Sequence, residues 1–167
     1  MCIRDRCWVC LGIVAGDILL ARGLMLATVE SCTGGWIAQT VTNIMGSSAW
    51  FERGFVTYSN EAKQELVGVQ ADTLMTHGAV SREVAVEMAL GGVQRSRADV
   101  AVSVTGIAGP DGGTPEKPIG TVWIAWADRD GRSEAICYGL QGDRRAVREA
   151  SVKHALSGLT NFLNSHE

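Results

Sequence analysis

The sequence predicts a three-layer α/β/α domain on a mixed, mostly parallel sheet, and three observations predict it. Apolar runs of strand length alternate with stretches of helical spacing along most of the chain. One run, Val100 to Val104, is apolar or small throughout, the pattern of a strand covered on both faces. Two late runs, Ile119 to Ala127 and Ser133 to Leu140, flank Asp128-Arg129-Asp130-Gly131, a tight turn that makes them an antiparallel pair. With 167 residues the chain has room for one domain.

The elements follow in order. Asp17 to Arg22 reads as the end of a helix, with Gly23 placed to stop it. Leu24 to Val29 is long enough for one buried strand and runs into Glu30-Ser31-Cys32-Thr33-Gly34-Gly35. Trp36 to Ile44 then shows helical spacing. Phe51 to Tyr58 reads as a second strand, and Asn60 as the cap of a helix through Leu66. Ser81 caps a helix from Arg82 to about Arg95, with Val84 and Met88 turned to the core. After the central strand and the hairpin, a closing helix runs from Asp143 to about Leu163.

Composition narrows the function classes. Fifteen basic against 18 acidic residues leave a net charge of −3 without a basic run, which argues against a nucleic-acid partner. Residues 1–16 pair Arg4 and Arg6 with a short apolar stretch ending in Val14-Ala15-Gly16, which has the outline of an export signal but reads equally as a buried first helix or as a start not native to the protein. Asp17 interrupts that stretch well short of the roughly 20 apolar residues a bilayer requires, so no membrane span is expected. Five cysteines (Cys2, Cys7, Cys10, Cys32 and Cys137) read as reduced thiols of a cytoplasmic protein. Cys7-x-x-Cys10 is half of a zinc motif with no second half, so neither metal nor cofactor is expected.

Three stretches could carry chemistry. The loop Gly106 to Gly120 holds five glycines and all three prolines, and its length exceeds that of an ordinary connector. It leaves a buried strand at the edge where open α/β sheets bind ligands. Glu30 to Gly35 joins a strand to a helix through two glycines, so Ser31 and Thr33 can cap that helix or help it to hold an anion. The third stretch combines Gly46-Ser47-Ser48 with Tyr58, Asn60 and Lys63. A serine needs a base, but His166 lies in the tail and His154 in the closing helix, and His77, before a glycine in a turn, has no obvious acidic partner. Lysine can serve instead if burial keeps it neutral, a shift from about 10.4 to near 7 costing on the order of 4–5 kcal/mol.

The segments ESCTGG (30–35), GSSAWFERGFVTYSNEAK (46–63), HGAVS (77–81), VSVTGIAGPDGG (102–113) and KPIGTVWIA (117–125) together resemble the CinA C-terminal domain family. The resemblance covers about residues 17 to 165. It divides the chain into an atypical segment, 1–16, foreign to the family, and an amidohydrolase domain, 17–167. It implies hydrolysis of the carboxamide of nicotinamide mononucleotide to nicotinate mononucleotide and ammonia, in a homodimer. Carried over by position, it makes Ser48 the nucleophile, with Lys63 and Tyr58 as activating partners. Ser31, Thr33, Gly34, Asn60, Thr105, Gly106 and Gly109 then form the substrate pocket, and Arg145 contacts the phosphate. A non-catalytic nucleotide-binding module of the same family is the alternative.

Overall fold

The computed structural model describes residues 7–165. Cys2, Arg4, Arg6 and His166, named above, lie outside the described residues. The chain forms α1 (Trp8–Arg22), β1 (Leu26–Glu30), α2 (Trp36–Thr42), a 3₁₀ turn (Ser47–Ala49), β2 (Phe51–Val56) and α3 (Asn60–Val67). It continues through α4 (Ala71–His77), α5 (Arg82–Gln94), β3 (Val100–Gly106), β4 (Thr121–Asp128), β5 (Ser133–Gly139) and α6 (Arg144–Asn164). The strands order as β2-β1-β3-β4-β5. β1 pairs in parallel with β2 and with β3, whereas β3–β4 and β4–β5 are antiparallel. The mixed α/β sheet is therefore present, with its pairings divided evenly between the two senses.

The two faces of the sheet are packed differently. On one side α1, α2 and α6 cover large residues, among them Leu19, Ile37, Ile124, Trp126, Leu156 and Phe162. On the other, α5 meets a floor of small ones, with Ala85 and Ala89 against Ala125 and Ala127. The small floor lets α5 approach closely, and Ser103 Oγ, buried in that contact, donates to the Ala85 carbonyl at 2.6 Å. α3 and α4 ride on α5 through Val67, Val69, Val84, Met88 and the partly buried Leu74. This seat carries Lys63, on α3, inward.

Several expectations need adjustment. α1 continues unbroken through the boundary drawn between residues 16 and 17. Its Ala15 and Gly16 are buried, and a Cβ on Gly16 would lie 2.7 Å from the Trp50 ring, so these small residues are a packing face. Gly23 ends the helix with φ 64°, as its position suggested. The cap of α3 is Ser59, whose Oγ accepts from Ala62 N–H at 3.0 Å, and Asn60 is the first helical residue. α4 escaped the sequence reading because it is only seven residues long and packs through the partly buried Leu74, with no residue fully buried. The hairpin turn is confirmed: the Asp128 carboxylate accepts from the N–H groups of Asp130 and Arg132.

Trp126 anchors the larger core. Its indole N–H donates to the Ala155 carbonyl at 3.0 Å, and a Cβ on Gly158 would fall 2.0 Å from the ring. Replacing Gly158 with alanine should therefore lower the unfolding free energy by about 1–3 kcal/mol through overpacking. Urea unfolding checks this, the midpoint falling with little change of slope. An unmoved midpoint would show that Trp126 yields without cost.

Candidate active site

Parallel pairing sends β1, β2 and β3 out at the same edge of the sheet. The chain leaves β1 toward one face and β2 toward the other, which opens a crevice between the ends of β1 and β3. A cleft of about 280 Å³ lies there, lined by Ser31, Cys32, Tyr58, Asn60, Lys63, Ala79, Val80, the 105–109 segment, Asp111, Gly112 and Arg144.

Lys63 sits at its base and is 1% exposed. Nζ lies 2.8 Å from the Thr57 carbonyl, 3.4 Å from the Tyr58 carbonyl and 3.2 Å from Ser31 Oγ. Among the described residues no carboxylate is paired with it. Burial pulls its pKa below the ordinary lysine value. In its neutral form the amine can donate to the two carbonyls, which only accept, and turn its lone pair to the Ser31 hydroxyl proton. Cys32, next to Ser31, is a buried thiol that desolvation pushes up to about 11, so it stays protonated and inert at neutral pH.

The turn that presents Ser31 is held from several sides. Ser31 N–H extends the β1–β3 ladder by donating to the Val104 carbonyl at 3.0 Å. Glu30, buried under α2, accepts from the N–H groups of Ile37 at 2.8 Å and Ala38 at 2.9 Å. The anion at the start of α2 is thus the protein's own carboxylate, neither a Ser31 or Thr33 cap nor a ligand. Gly34 (φ 60°) and Gly35 (φ 98°) take the left-handed backbone that this tight return demands. From the other side Arg148 donates to the carbonyls of Cys32 at 3.0 Å and Thr33 at 3.1 Å.

The sequence-derived candidates divide accordingly. Ser31, Tyr58, Asn60, Lys63, Thr105, Gly106 and Gly109 come together on the cleft wall. Thr105 Oγ1 donates to the Ala79 carbonyl at 2.8 Å, which braces the Ala79–Val80 wall. Thr33 and Gly34 belong to the supporting turn and do not line the cleft; the Thr33 hydroxyl is buried without a hydrogen-bond partner.

Ser48 is not brought to Lys63. It lies in the 3₁₀ turn before β2, exposed, while Lys63 follows β2. The six residues of that strand, a length of about 17 Å at roughly 3.3 Å per residue, lie between the two. Arg145 is likewise exposed and outside the lining, and its neighbour Arg144 occupies the mouth instead. Arg144 donates to the Gly109 carbonyl at 2.7 Å and to the Tyr58 hydroxyl at 3.1 Å. Lys63 meets only the backbone of Tyr58, so the phenol is not interposed between the amine and Ser31.

Glu30, Arg144 and Arg148 were missed by the sequence reading. A carboxylate closing an otherwise apolar strand run was the available signal for Glu30. For Arg144 it was a cationic first turn on α6, where a helix normally favours acidic residues.

Comparison with known proteins agrees with this architecture. The sequence model of the CinA C-terminal domain matches residues 12–163. Nicotinamide-nucleotide amidohydrolase PncC of Escherichia coli (strain K12) is 57% identical over 144 residues, covering 86% of this chain and 87% of that protein. The protein of the same name from Enterobacter agglomerans is 53% identical, covering 93% and 95%. The crystal structure of the competence/damage inducible protein CihA from Agrobacterium tumefaciens superposes with a TM-score of 0.86 at 47% identity, covering 92% of this chain and 95% of that one. That of the competence damage-inducible protein A from Klebsiella pneumoniae subsp. pneumoniae MGH 78578 gives 0.92 at 38% identity, covering 96% and 99%.

Glu30 provides a test of how the turn is supported. Glu30→Gln turns one acceptor into a donor facing a buried N–H, so it should destabilise the fold by about 1–3 kcal/mol. Denaturant unfolding reads the loss. A variant as stable as the parent would mean that the α2 N–H groups find other acceptors.

Proposed function

The chain belongs to the CinA C-terminal domain family, and from that premise we propose that it hydrolyses the carboxamide of nicotinamide mononucleotide, giving nicotinate mononucleotide and ammonia. Two supports carry the reading. Relatives more than half identical over nearly their whole length bear the name nicotinamide-nucleotide amidohydrolase. The single structural observation behind it is the 3.2 Å contact between Ser31 Oγ and the buried Lys63 amine, at the base of a cleft able to take a small polar ligand.

Ser31 is the nucleophile in this reading, in place of Ser48. Neutral Lys63 takes the Ser31 proton as Oγ attacks the amide carbon. N–H groups of the glycine-rich loop stabilise the oxyanion. Collapse of the tetrahedral adduct expels ammonia after its nitrogen takes the proton from the Lys63 ammonium, which restores the neutral amine, while the Tyr58 hydroxyl on the cleft wall donates a hydrogen bond to the substrate. Water, deprotonated by Lys63, then cleaves the Ser31 ester and regenerates both groups. Arg144 supplies the cation at the mouth that draws the phosphate end, so that remote binding orients the amide.

An ammonia-release assay with purified protein and nicotinamide mononucleotide tests the activity. Ser31→Ala should cut turnover on the order of 10³-fold or more, whereas Ser48→Ala should stay within about twofold of wild type, a surface change far from the cleft. The reverse pattern sinks the Ser31 assignment, and nucleotide binding without any ammonia release would leave a non-catalytic module.

The pH profile tests the base. Lys63 works only unprotonated and its pKa is lowered, so kcat/KM should climb as pH rises through that lowered value. It should level off before the ordinary lysine range is reached. A pH-independent kcat/KM from mildly acidic to alkaline conditions would remove Lys63 from this role.

A further inference from the structure

Resting on the amidase reading, we infer that Arg144 is a positioning residue that clamps the Tyr58 phenol to the glycine-rich loop. Its guanidinium spans two partners from distant parts of the chain, with Nη1 on the Gly109 carbonyl at 2.7 Å and Nη2 on the Tyr58 hydroxyl at 3.1 Å. Tyr58 is 62% exposed, and among the described residues this is the one hydrogen bond to its hydroxyl. Packing therefore does not fix the ring; the guanidinium does.

The chemistry of the contact has a direction. A guanidinium donates and never accepts, so the phenol oxygen must be the acceptor and its own O–H is left to be offered to a ligand in the cleft. The clamp thereby sets both the place and the donor role of the phenol. The loop gains as well, because Gly109 forms part of the cleft wall and its carbonyl is tied to the first turn of α6.

Local helix energetics do not account for Arg144. A cation in the first turn opposes the helix dipole, and Asp143 already caps α6 by accepting from Ala146 N–H at 2.8 Å. Lysine would keep the charge but not the planar fork that reaches two acceptors at once. That difference separates clamping from mere attraction of an anion.

The experiment is a double-mutant cycle at saturating nicotinamide mononucleotide, read as kcat for ammonia release. Arg144→Lys should lower kcat about tenfold in the wild-type background and less than about twofold in Tyr58→Phe, because the hydroxyl it orients is already gone. Thermal unfolding of all variants should be unchanged, since both side chains are exposed. The clamp is overturned if Arg144→Lys keeps the wild-type kcat and changes KM alone. It is equally overturned if the loss is as large in Tyr58→Phe as in the parent. A wild-type protein that releases no ammonia defeats the amidase reading itself, a result distinct from either.

Discussion

The site is organised around an amine that has no counter-ion among the described residues. Lys63 Nζ is enclosed by two backbone carbonyls and one hydroxyl, and burial alone lowers its affinity for a proton. A carboxylate in the same place would have held the lysine charged and left Ser31 an ordinary alcohol. The nearest acid in sequence to Ser31, Glu30, is buried beside it but is committed to the N–H groups of α2. Two requirements are met by that one arrangement: the first turn of α2 is satisfied, and the lysine is left without an anion.

Keeping a lysine in this state demands support from several layers. α3, which carries it, packs on α5, and α5 lies close to the sheet because its floor is built from alanines. Ser31 is fixed by one ladder hydrogen bond to β3 and by the turn that Arg148 straps to α6. Ser31 and Lys63 thus arrive from opposite sides of the sheet's edge. Their 3.2 Å meeting is a property of the packed layers and not of either segment.

Much of this was legible in the residues. Short apolar runs, the Gly23 stop, the Ser81 cap and the Asp128–Gly131 turn located the main elements, because each rests on chemistry within a few neighbours. The glycine-rich loop declared itself by length and composition, and it does line the cleft. Lys63 and Tyr58 were placed correctly near a strand end. Ser48 and Arg145 lie outside the cleft lining, and for different reasons. Ser48 precedes β2 while Lys63 follows it, and a strand carries its two ends to opposite edges of the sheet. Arg145 lies one residue beyond Arg144, and one residue on a helix is a rotation of about 100°, enough to turn a side chain from the cleft to solvent.

Legible in the residues alone are the alternation of strands and helices, the long glycine- and proline-rich loop, and the place of Lys63 just after a strand. Those depend on residue type and on spacings of a few positions, which act locally. Which serine meets the lysine, which arginine faces the cleft and which anion occupies the start of α2 were decided by tertiary structure alone. Each is a contact across strand order and helix rotation, set by how the layers pack.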